Sequence, residues 1–102
     1  MQTSDYDFRP AALVDYFEAN LWYHRRSELA ARRFDQAVAW ALQLIVEGPD
    51  RWQSIEGGYR QIRVRRFPYV LVYRSDTRPI RLVAVAHASR DQGYWRDRES
   101  NE

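Results

Sequence analysis

A single α+β domain is expected from these 102 residues, and three features of the chain predict it. Apolar residues recur at helical spacing over two adjacent segments of the first half. Strand-like apolar runs fill the second half, and proline, serine and glycine punctuate the boundaries. The length suits one hydrophobic core rather than two, so residues 1–102 are expected to form one domain with an ordered core over about 5–98.

A short extended segment around Asp5 to Arg9 comes first and ends at Pro10, whose missing N–H suits the opening position of a helix. Helix one is predicted from about Pro10 to Arg26, with Val14, Phe17 and Leu21 at helical spacing and Asp15 and Glu18 near the positive end of its dipole. Ser27 before Glu28 reads as a new N-cap. Ala30, Phe34, Ala37, Val38, Ala41 and Ile45 then form the apolar stripe of a second helix, ended by Gly48 and Pro49. Two helices joined this tightly predict an antiparallel hairpin.

Residues 50–58 read as a loop, with Gly57-Gly58 turning the chain into strands. Tyr59 to Arg66 alternates, Ile62 and Val64 on one side and Gln61, Arg63 and Arg65 on the other. Tyr69 to Tyr73 is apolar on both faces, as befits a central strand. Ser75 to Pro79 supplies a turn. Ile80 to His87 then alternates, with Leu82, Ala84 and Ala86 on one face and Arg81, Val83, Val85 and His87 on the other. The predicted architecture is a short N-terminal strand, an antiparallel two-helix hairpin and a three-stranded antiparallel meander, with the helices on one face and the other face partly open. The tail after Arg98 is expected to fray.

Every one of the 16 basic residues is arginine, and they are unevenly placed. Residues 51–98 hold eleven arginines against four acids, a balance of +7, whereas residues 1–50 hold five against eight, or −3. A basic half of this kind predicts an acidic or polyanionic partner. Without lysine there is no amine to serve as a base, but forked guanidinium contacts to phosphate or carboxylate are abundant. The absence of cysteine excludes disulfides and thiolate metal sites and fits a reducing cytoplasm. Acids at metal-ligand spacing, a Gly-rich phosphate loop and a nucleophile elbow are also missing, so no metal or cofactor is expected. No apolar run approaches the ~18 residues needed to cross a bilayer, and the first residues carry no signal-peptide pattern.

The residues that point to chemistry converge at the end of the last strand. His87, Arg90 and Tyr94 suit a cleavage of RNA through its own 2′-hydroxyl, with a base, an acid and a cation to grip the phosphate. The structural alternative is that His87 caps the strand while Tyr94 and Trp95 pack the tail. Arg63, Arg65, Arg81 and Arg90 are the candidates to bind a target or phosphate, and Arg63, Arg65 and Arg81 are expected to share the open sheet face with His87. Trp22 and Trp40 lie off the main apolar stripes of their helices and, with Arg60, Arg63 and Arg65, are candidates to hold a protein partner.

The ordered set Arg66-Phe67-Pro68-Tyr69 leading into Val70-Leu71-Val72-Tyr73, then Ala84-Val85-Ala86-His87 with Arg90 and Gly93-Tyr94-Trp95, resembles the ParE/RelE toxin superfamily of bacterial toxin–antitoxin systems, the toxins of plasmid stabilisation. Trp22-Tyr23, Phe34 and Pro49 sit where that family has similar residues, and the likeness covers about residues 6–98. It implies a cytoplasmic toxin paired with a small acidic antitoxin in a hetero-oligomer, acting either by binding DNA gyrase or as a ribosome-dependent mRNA endonuclease. A relic that binds its antitoxin without toxicity is a third implication. Val70 stands where the RelE-like ribonucleases place a phosphate-gripping arginine, Gln61 replaces another basic residue, and lysine is absent. These departures favour the ParE-like, gyrase-binding branch, in which the protein is not an enzyme.

Overall fold

The computed structural model describes residues 5–90 and 93–98. Its elements run β1 (Tyr6–Phe8), α1 (Pro10–His24), α2 (Glu28–Glu47), β2 (Gln53–Ile55), β3 (Tyr59–Arg63), β4 (Tyr69–Arg74), β5 (Ile80–His87) and a final 3₁₀ turn, Arg96–Arg98. The expected fraying after Arg98 falls outside the described residues.

The helices form where local chemistry asks for them. Pro10 occupies the first turn of α1, and the Ser27 hydroxyl accepts the Ala30 N–H at the start of α2. The helices cross back on each other. Asn20 Nδ2 donates to Ala31 O at 3.3 Å, and Tyr16 donates to Asp35 one turn further from the connection, the pairing of an antiparallel hairpin.

The sheet departs from the predicted three-stranded antiparallel meander. It has five strands in the order β1-β5-β4-β3-β2 and is mixed, because β1 pairs in parallel with β5. The 50–58 segment is not all loop, since Gln53–Ile55 pairs antiparallel with β3 as an edge strand. Its signal is weak because only Ile55 of the three is apolar. The predicted strand from Tyr59 to Arg66 stops at Arg63, because Val64 turns the chain back by accepting the Phe67 N–H at 3.1 Å. β4 is the middle strand, as its two apolar faces require.

One irregularity re-sorts the last strand. Val72 pairs with Ala84 but Tyr73 pairs with Leu82, which leaves Val83 as an extra residue in β5. Alternation restarts after that bulge. Leu82 and Val85 both join the helix-side core with Phe34, Val38, Ile45, Ile62 and Leu71. Val83, Ala84 and Ala86 join Tyr59, Val72 and Trp95 in a second cluster on the opposite face. The expected partition of Leu82, Ala84 and Ala86 against Val83 and Val85 is therefore wrong, and the far face is part-closed by the C-terminal segment, with Trp95 fully buried.

The buried face of α1 also differs from expectation. Ala12 and Ala19 are buried and Tyr16 and Tyr23 pack on the core, whereas Val14, Phe17 and Leu21 point outward, Val14 at 54% and Phe17 at 59% exposure. The predicted stripe is thus a surface.

Candidate functional site

A cleft of about 230 Å³ opens between α1 and the end of β5, lined by Asp15, Glu18, Trp22, Tyr69, His87, Arg90 and Tyr94. His87, Arg90 and Tyr94 do converge here, as the sequence suggested. The Tyr69 and His87 rings, which are cross-strand partners, meet edge-on at 5.1 Å. Ser89 N–H donates to His87 Nδ1 at 3.1 Å, with the Ser89 hydroxyl 2.8 Å from the same nitrogen. The Arg90 guanidinium lies 3.7 Å from the centre of the Tyr94 ring, a cation–π contact.

The organiser of the cleft is Asp15, which the sequence reading placed only by its relation to the helix dipole. β1 ends at Phe8, so among the described residues no strand pairs with the β5 edge beyond Leu82. Side chains satisfy it instead. Asp15 Oδ2 accepts the Val85 N–H at 3.1 Å, and Arg98 Nη1 donates to Val83 O at 3.0 Å. The same carboxylate accepts the Tyr94 hydroxyl at 3.2 Å and a forked pair from Arg98, at 2.7 and 3.0 Å. Burial, then the Asp15 charge, push the Tyr94 hydroxyl up to about 12, while Arg98 and Arg90 pull it down. The Tyr94 proton is thus held in a contact that ties the C-terminal segment to α1. Only a contact between residues far apart in the chain reveals this.

The remaining arginines do not share one surface, contrary to expectation. Arg63 is exposed and pairs with Val70 at one end of β4, on the face away from the helices. Arg81 lies on that face at the opposite end, between Asp7 and Arg74 in register. His87 is on the helix side with its partner Tyr69. Arg60 is engaged internally, donating to Trp52 O at 2.7 Å and to Ser75 Oγ at 3.3 Å and lying 3.9 Å from Asp50. The bulge at Val83 and the early end of β3 separate the predicted patch.

Arg65 lies in a larger groove of about 760 Å³, formed by Arg33, Gln36, Ala37 and Trp40 of α2 with Arg65, Arg66 and Phe67 of the β3–β4 turn. Trp40 is 54% exposed there. Trp22 is exposed at the mouth of the α1 cleft, capped by the Arg26 guanidinium 3.5 Å from its ring centre. Among the described residues no group of His, Cys, Asp or Glu is arranged to hold a metal ion, and no helix is long and apolar enough to cross a membrane.

The chain can therefore present two open clefts and an exposed apolar stripe on α1. Comparison with protein families matches residues 6–92 to the model described as the ParE toxin of the type II toxin–antitoxin system, parDE. Comparison with curated proteins gives no match.

Proposed function

Because the chain belongs to the ParE toxin family of type II toxin–antitoxin systems, matched over residues 6–92, we propose that it arrests growth by binding DNA gyrase and is held inactive by a cognate acidic antitoxin. The observation that carries the choice of binding over cleavage is the commitment of Tyr94. Its hydroxyl donates to Asp15 beside a forked Arg98, and its ionisation is pushed up to about 12. A side chain in that position supports tethering of the C-terminal segment better than proton delivery to a leaving group. Arg90, Arg63, Arg65 and Arg81 are assigned to contact with the target or its phosphates, and Trp22, Trp40, Arg63 and Arg65 to contact with the antitoxin. Arg60 is withdrawn from the second set, because its guanidinium is used inside the fold.

The convergence of His87, Arg90 and Tyr94 on one cleft favours a second reading, mRNA cleavage in the ribosome. One experiment separates the two. Purified protein is assayed in parallel for loss of gyrase supercoiling and for cleavage of translated mRNA. The expected result is supercoiling loss with intact RNA. Cleavage that disappears in His87→Ala or Tyr94→Phe would overturn the proposal.

A further inference from the structure

We propose that a cavity of about 340 Å³ on the sheet face away from the helices is a binding site for a small carboxylate with a compact apolar body. Such a site is independent of the toxin's target.

The cavity forms where the C-terminal segment returns over the sheet. Ile55 of β2, Gln61 of β3, Val70 of β4 and Ala88 beyond β5 line it from below, and Trp95 and Arg96 line it from the segment itself. Neighbouring rings of that segment take opposite sides of β5. Tyr94 reaches Asp15 on α1, whereas Trp95 is buried with Tyr59, Val72 and Ala86 on the far face, its ring meeting Tyr59 edge-on at 4.7 Å. The wall is therefore fixed in place, so little ordering is left for a ligand to impose.

Donors outnumber acceptors around this cavity. Trp95 is fully buried, yet its indole Nε1 has no hydrogen-bond partner, the one such side-chain atom among the described residues. A buried donor without a partner is costly and rare in folded proteins. The Arg96 guanidinium lies 4.5 Å from the centre of the Trp95 ring and gives Nη1 to Glu56 O at 2.8 Å, and it too can only donate. Gln61 Nε2 donates to Gln53 Oε1 at 2.9 Å, which leaves its other N–H and its carbonyl oxygen. That carbonyl is the one side-chain acceptor among the lining residues, and no Asp or Glu is among them.

A carboxylate brings two acceptor oxygens and the charge that a guanidinium favours. Ile55, Val70 and Ala88 would enclose its apolar part, and the volume, at the small end of ligand pockets, limits that part to about one ring. Other occupants fit less well. A cation finds no carboxylate here, and water, which needs about two to four polar partners, gains nothing from the apolar remainder.

The test titrates benzoate into the full chain and follows proton–nitrogen correlation spectra, with benzamide as the uncharged counterpart and acetate as the carboxylate without a body. Benzoate should shift the Trp95 indole signal saturably, with a dissociation constant of about a millimolar or tighter. The backbone signals that move with it should be those of Ile55, Gln61, Val70 and Ala88. Benzamide should bind about tenfold more weakly, and acetate should not saturate. Arg96→Gln should weaken benzoate about tenfold and leave benzamide unchanged. Trp95→Phe keeps a buried ring but removes the donor, and should also weaken benzoate about tenfold. If that variant does not fold, the parent's own shift map and Arg96→Gln decide the matter. No saturable shift of the Trp95 indole, shifts that map to other residues, equal affinity for benzamide, or unchanged affinity in Arg96→Gln would each overturn the inference.

Discussion

Replacing Asp15 with alanine should destabilise the fold far more than a surface carboxylate normally would. The side chain is 10% exposed and accepts from the Val85 N–H, the Tyr94 hydroxyl and both Arg98 nitrogens. Its loss leaves a backbone donor at the β5 edge without its partner, which costs about 1–3 kcal/mol. It also strands a guanidinium that is 23% exposed. Removing one partner of a fully buried pair costs about 3–5 kcal/mol, and partial solvation of Arg98 brings that down to about 1–2 kcal/mol. These contributions share one carboxylate and do not simply add, so a net loss of about 2–4 kcal/mol is expected. For a domain of this size that lowers Tm by roughly 10–20 °C. Urea denaturation followed by circular dichroism measures it, and a double-mutant cycle with Arg98→Ala isolates the pair. The cycle should return a coupling of about 1–3 kcal/mol. A loss below about 0.5 kcal/mol, the range of ordinary surface changes, or additive single and double variants, would refute the view of Asp15 as the fastener of the C-terminal segment.

Two further outcomes follow from burial and exposure. The Tyr73 hydroxyl is raised to about 12, chiefly by burial, as Tyr94 is. A tyrosine whose folded value is raised contributes stability that is complete below pH ~10 and lost as pH rises through the folded value. Stability should therefore fall between pH ~10 and ~12, and ultraviolet titration should show these two rings still protonated above the ordinary tyrosine value; a single titration step at the ordinary value would contradict it. Phe17→Ser, on the outward stripe of α1, should change stability by less than about 0.5 kcal/mol while reducing self-association in light scattering. A large drop in stability would show that this stripe is packed.

What was legible in the sequence was local. Pro10, Ser27 and Gly48 bound the helices because capping depends on a few neighbouring residues, and β4 declared itself central because both of its faces are apolar. The stripe of α2 was readable for a related reason, since its opposite face is charged.

Tertiary packing decided the rest. α1 is apolar around most of its circumference, so two stripes competed to face the sheet, and the one with Ala12 and Ala19 won because small residues let the helix sit close to β5. Val83 is extra only in relation to the β4 register, so the exchange of faces along β5 could not be seen in that strand alone. Asp15 reaches Val85, Tyr94 and Arg98 across 70, 79 and 83 positions. Residue types and short-range spacing settled which segments are helix or strand, whereas the sheet they build together settled which side chains remain available to a partner. The physical reason is that propensity and capping act within a turn or two of chain, while burial and hydrogen-bond satisfaction act across the assembled core.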